Sequence, residues 1–101
     1  MRPNYRRPFA VFVKKANKAF QLAIEDAVLD ILDSPNIGEQ KTGDLKNIYV
    51  YKFRFNRQEY LIAYKFGTAD NSIDLVWIDF YQVGSHENFY EELKRYLKDS
   101  S

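Results

Sequence analysis

Apolar side chains recur with helical spacing over the first third of the chain. Phe9, Phe12, Val13 and Ala16 stand at i, i+3, i+4 and i+7, and Phe20, Leu22, Ala23, Ile24, Ala27, Val28, Ile31 and Leu32 continue the stripe. This predicts amphipathic helix from about Pro8 to Asp33. Pro8 suits the first helical position, where its missing N–H would have had no partner. Asn17 offers a break, giving two helices with a tight turn near Ala16-Asn17-Lys18. A short strand over Phe9–Val13 fits the same apolar run. Ser34-Pro35-Asn36-Ile37-Gly38 stops the helix, and the polar residues 39–47 read as a loop.

The pattern then changes period. Tyr49, Tyr51, Phe53 and Phe55 alternate with Ile48, Val50, Lys52 and Arg54, and Tyr60, Ile62, Tyr64 and Phe66 alternate with Leu61, Ala63 and Lys65. Alternation of this kind predicts two strands, each with one face buried. A two-residue turn at Arg57-Gln58 would pair Asn56 with Glu59, Arg54 with Leu61, Lys52 with Ala63 and Val50 with Lys65. One face of the hairpin is then aromatic and aliphatic and packs on the helices. The other carries Lys52, Arg54 and Lys65. Gly67–Ser72 reads as a loop. Ile73–Val83 reads as a third strand, its continuous apolar run marking it as central, and Gly84-Ser85 ends it. Ser85 is a candidate N-cap, with Glu87 in the first turn favoured by the helix dipole. Phe89, Leu93, Tyr96 and Leu97 give a last amphipathic helix. The expected class is α+β: an N-terminal helix or helical hairpin on a small antiparallel sheet, a three-strand meander with room for one further N-terminal strand, and a C-terminal helix.

Composition narrows the chemistry. The 101 residues suffice for one domain with one core. There is no cysteine and only one histidine, which excludes disulfides, thiol catalysis and multi-histidine zinc sites. No metal or other cofactor is expected. No apolar run approaches the ~18 residues of a membrane span, and no signal peptide is evident. With the absence of cysteine, this fits a reducing cytoplasm and no membrane partner. Net charge is only +1, but it is unevenly spread. Residues 1–19 carry six basic groups and no acidic one, residues 20–40 five acidic and no basic, and residues 41–67 six basic and two acidic. Contact with nucleic acid would therefore be local, through the 41–67 segment and the basic N-terminus.

Three stretches in this order carry a resemblance. They are Asp33-Ser34-Pro35-Asn36-Ile37-Gly38 with Lys41-Thr42-Gly43-Asp44-Leu45, the hairpin Val50-Tyr51-Lys52-Phe53-Arg54-Phe55 through Tyr60-Leu61-Ile62-Ala63-Tyr64, and Val83-Gly84-Ser85-His86-Glu87-Asn88-Phe89-Tyr90. From about Pro8 onward the chain resembles the RelE/ParE superfamily of toxins from bacterial type II toxin–antitoxin pairs, in a branch with a His-Glu-Asn-Phe-Tyr signature. The resemblance implies a RelE-like fold over residues 1–101 and a cognate antitoxin as partner, with an acidic or amphipathic segment lying over the sheet or the terminal helix. It also implies either metal-independent cleavage of messenger RNA on the ribosome, or, as in the ParE branch, poisoning of DNA gyrase without catalysis. A detoxified relative that mainly binds its antitoxin is the third alternative.

Metal-free RNA cleavage needs a base for the 2′-hydroxyl, cations for the phosphorane-like transition state and an acid for the departing 5′-oxygen. Lys52 and Arg54 project from one strand face roughly 6–7 Å apart, which suits two contacts to one phosphodiester. In the resemblance these two match a basic pair of RelE-type nucleases, His86 falls near a catalytic Arg or His, and Tyr90 matches a C-terminal cleft tyrosine. Lys41, Lys46, Arg57 and Lys65 are candidate RNA contacts. Leu61 stands where many such nucleases carry an arginine, which removes a charge-assisted contact of about 1.5–3 kcal/mol. Each residue also has an ordinary use: His86 at a helix start, Tyr90 in the core, Lys52 and Arg54 on a solvated sheet face. Glu25, Asp26, Asp30 and Asp33 read as a solvated helix face. Asp74 and Asp79, five apart on one strand, point to opposite faces.

Overall fold

The computed structural model describes residues 2–68 and 75–99, the last strand's first two side chains excepted. Strand β1 (Arg2–Tyr5) leads into helices α1 (Arg7–Lys15) and α2 (Lys18–Asp33). A 3-10 turn at Pro35–Ile37 precedes the short strand β2 (Glu39–Gln40), and a second at Gly43–Leu45 precedes β3 (Tyr49–Phe55). Strands β4 (Gln58–Thr68) and β5 (Leu75–Ser85) follow, then helix α3 (Phe89–Asp99).

The helical stripe is indeed broken at Asn17. Its side chain accepts the Phe20 N–H at 2.8 Å and caps α2. Phe9–Val13 is helical, not a strand. The sheet has five strands in the order β1-β5-β4-β3-β2, with β1 parallel to β5 and the other neighbours antiparallel. Two of these strands lack alternation. The residues of β1 are exposed throughout, and this strand is fastened by particular groups: the Asn4 side chain donates to Asp79, Arg6 N–H donates to the Phe80 carbonyl at 2.9 Å, and Tyr5 stacks on Phe9 and Phe80. The two residues of β2 lie inside the stretch 39–47 expected as loop.

Helices and sheet form three layers. On one face α1 and α2 pack on Ile62, Tyr64, Ile78, Phe80 and Val83, with Tyr49, Tyr51, Phe53 and Phe66 at the margin. The aromatic face of the hairpin is therefore core: Phe20 lies flat on Phe55 with ring centroids 4.7 Å apart. On the opposite face α3 brings Phe89 and Leu93 onto Leu45, Ile48, Val50, Leu61 and Ala63. An irregularity in the β4–β5 ladder after Ala63 carries Phe80 and Val83 to the first layer and Gln82 toward α3, where its amide donates to the Phe89 carbonyl at 2.9 Å. Strand β5 continues through Ser85, past the expected end at Val83. Ser85 pairs with Tyr60 and is not a helix cap, and α3 begins only at Phe89. Asp74 and the loop ahead of β5 lie outside the described residues. Glu25, Asp26, Asp30 and Asp33 are exposed, as expected, though Asp30 accepts a hydrogen bond from the Tyr51 hydroxyl at 3.3 Å.

Candidate functional site

The hairpin register places the cations. Its turn is Asn56-Arg57, both in the left-handed region with φ of 50° and 66°, which is the type I′ geometry that matches strand twist. Phe55 therefore pairs with Gln58, Arg54 with Glu59, Lys52 with Leu61 and Val50 with Ala63. The expected pairing, with the turn at Arg57-Gln58, is displaced by two residues. A two-residue displacement preserves faces, so Lys52 and Arg54 still share a side; what changes is their neighbours. Arg54 faces Glu59, not Leu61. The reason is Asn56, which tolerates positive φ and draws the turn one position earlier.

Burial along β3 then defines the open surface. Val50 is buried beneath α3, while Lys52 and Arg54 beyond it are exposed. Leu61 has no exposure at all and lies in the layer under Phe89. The position of the arginine that the resemblance would supply is thus filled by core.

His86 reaches the same surface from the β5–α3 connection. Because Tyr60 pairs with Ser85, the next step outward along the two strands sets Glu59 beside His86. Imidazole Nε2 lies 2.6 Å from Glu59 Oε1, and both side chains remain open to solvent. The bond from His86 holds the Glu59 carboxyl below its ordinary range, with the charges of Lys52 and Arg54 acting in the same sense. Arg54 donates to the Arg57 carbonyl at 3.2 Å, which ties the guanidinium to the turn. Glu59, Lys52, Arg54 and His86 thus form one exposed group.

Tyr90 and Lys41 form a second group. Tyr90, half-buried in the first turn of α3, meets Phe89 edge-on at 5.3 Å, and the Lys41 ammonium lies 5.4 Å from the Tyr90 ring centroid. Lys41 pairs with Glu39 at 2.5 Å. That bond raises the Lys41 pKa and lowers that of Glu39, and Lys52 depresses Glu39 further, so the two groups are electrostatically linked across β2 and β3. Lys46 is exposed at the end of the second 3-10 turn, on the rim of a surface hollow shared with Lys41 and Thr42. Arg57 is exposed at the hairpin tip. Lys65 pairs across the sheet with Asp79, at the far end from the hairpin turn. The structure therefore gathers Lys52, Arg54 and His86, sets Tyr90, Lys41 and Lys46 in a neighbouring cluster, and leaves Lys65 apart.

Glu59 was not among the residues that spacing singled out. The signal was Asn56: read as the first residue of a type I′ turn, it puts Glu59 opposite Arg54. Among the described residues no cluster of histidine, aspartate and glutamate could hold a metal ion, and no helix is long and apolar enough to cross a membrane.

The sequence model of a family described as the ParE-like toxin of type II bacterial toxin–antitoxin systems matches residues 4–94. No curated protein matches the sequence. Two solved structures are similar. The intact Escherichia coli RelBE toxin–antitoxin complex contains a chain that superposes with a TM-score of 0.62 at 18% identity, over 83% of this chain and 94% of that one. The isolated E. coli RelE toxin gives 0.60 at 18% identity, over 94% and 97%. At this identity the likeness is one of fold.

Proposed function

We propose that this chain, which belongs to the ParE-like toxins of bacterial type II toxin–antitoxin systems, cuts messenger RNA on the ribosome without a metal ion. The observation that carries the reading is the imidazole of His86 held 2.6 Å from Glu59 on the open face of Lys52 and Arg54. His86 takes the 2′-hydroxyl proton. The ammonium and guanidinium bind the phosphodiester and stabilise the charge that builds on it. Lys41, Lys46 and Arg57 extend the cationic surface toward neighbouring phosphates. The ribosome supplies the affinity that a net charge of +1 does not. A cognate antitoxin is the expected partner, and to silence this chemistry its segment must cover the face bearing Lys52, Arg54 and His86.

Expression of the chain in cells, followed by primer extension on a translated message, tests the reading. New 5′ ends should accompany growth arrest, and K52A with R54A should abolish both. Arrest with an uncut message would overturn it. Leu61 favours a second reading: with that position in the core, the phosphate grip has two strand cations and no third, as expected of a ParE-like gyrase poison. Inhibition of gyrase supercoiling by the purified chain, unchanged in H86A, would establish that alternative, and unaffected supercoiling at micromolar chain would remove it.

A further inference from the structure

We infer that Glu59 is a positioning residue that fixes the tautomer of His86, so that Nδ1 is the atom that accepts the substrate proton. The inference rests, for its catalytic consequence, on the nuclease reading above; the tautomer itself does not.

An ionised carboxylate only accepts hydrogen bonds. Glu59 is ionised at neutral pH, since His86, Lys52 and Arg54 all favour its charged form. The nitrogen 2.6 Å from its Oε1 must therefore carry a proton, and that nitrogen is Nε2. A neutral imidazole has only one N–H, so Nδ1 is left bare and able to accept.

The backbone fixes this arrangement. Glu59 is held on β4 by pairing with Arg54, and His86 follows directly on the Tyr60–Ser85 pair. Arg54, the cation opposite Glu59, donates to the Arg57 carbonyl at 3.2 Å, while the hydrogen-bond partner of the Glu59 carboxylate is His86. The carboxylate therefore serves the imidazole. A carboxylate beside two phosphate-binding cations would otherwise repel the substrate, which is a reason to expect it only where it does something the cations cannot.

In the reaction the 2′-oxygen bonds to phosphorus as its proton passes to Nδ1. The phosphorus–O5′ bond breaks, leaving a 2′,3′-cyclic phosphate, and the departing 5′-oxygen takes a proton from solvent. The imidazolium so formed bears its charge against Glu59, and it returns its extra proton to water. The carboxylate is thus more useful at the transition state than in the ground state, so its loss should fall on kcat more than on KM.

His86 is the only histidine, so a histidine nitrogen spectrum of the purified chain reports this ring alone. In the wild type, with the imidazole neutral, we expect one Nε2–H tautomer and a downfield Nε2 proton. E59A should lose that proton signal, and E59Q, whose amide oxygen can still accept, should retain part of it. In cleavage assays E59A should reduce kcat by about 10–100-fold with KM little changed, with E59Q falling between. Thermal melts of both variants should match the wild type, since Glu59 is exposed to solvent. An unchanged Nε2 proton signal in E59A, or undiminished kcat in a folded E59A that still cuts RNA, would overturn the inference. A locked tautomer in a wild-type chain that cuts nothing would leave the positioning of His86 standing and refute the nuclease reading.

Discussion

Arg57 holds a backbone conformation that its side chain does not favour. Its φ is 66° at the second turn position of the hairpin, where glycine is the usual occupant. A side chain in the left-handed region costs on the order of 1 kcal/mol, so R57G should stabilise the protein by about that amount, or roughly 4–8 °C in Tm for a domain of this size. If the guanidinium touches RNA, the same variant should cut more slowly while melting higher; a lower Tm would contradict the strain argument. Asn56 beside it tolerates the same region at little cost. The pair therefore explains both what the sequence showed and what it hid. Alternation identified the two strands and the face shared by Lys52 and Arg54. The register depended on one asparagine, and with it went the neighbour of Arg54 and the whole role of Glu59.

At the scale of elements, the open site exists because α3 covers only part of its sheet face. Phe89 and Leu93 bury Val50, Leu61 and Ala63, and Lys52 and Arg54 lie just beyond. Restoring an arginine at the position of Leu61 should therefore fail as a repair. L61R would place a guanidinium among Val50, Phe89 and Leu93, where Leu61 has no exposure, at a cost of several kcal/mol. Urea titration should show loss of most of the stability, and a folded, more active L61R would mean that α3 lifts easily from the sheet. Helices α1, α2 and α3 and the hairpin were legible because each repeats a period over two turns or several pairs. The further N-terminal strand that the sequence left room for is β1, but its position was not legible, because its four residues are all exposed and its attachment relies on Asp79 and Phe80, some 75 positions away in the chain. The start of α3 was misplaced because Ser85 and Glu87 look like a capped first turn, whereas the β4 ladder holds Ser85 in the sheet.

At the scale of the whole molecule, Tyr64 joins the core to the segment that carries Lys41. It is fully buried, donates to the Pro35 carbonyl at 2.7 Å and accepts the Gly38 N–H at 3.0 Å. A methyl on Gly38 would stand 2.7 Å from that hydroxyl, so the chain ahead of β2 is fitted to it. Burial pushes the Tyr64 phenol up to about 12. The phenol is protonated in both folded and unfolded chains below pH ~10, the ordinary tyrosine value. Above it the unfolded chain loses its proton first, so stability should fall from there to pH ~12, by roughly 2–3 kcal/mol from this group. Burial raises Tyr5, Tyr51 and Tyr81 in the same direction. Denaturant midpoints measured across this range should drop, and Y64F should flatten part of the slope; a midpoint independent of pH would contradict it.

The uneven charge, the three layers and the incomplete cover of α3 converge on one surface, and the chemistry proposed for it has a direct signature. The purified chain, added to a ribosome-programmed translation reaction on an end-labelled message, should release fragments with 2′,3′-cyclic phosphate and free 5′-hydroxyl ends, and H86A should release none. An intact message, or fragments bearing 5′-phosphates, would contradict the account.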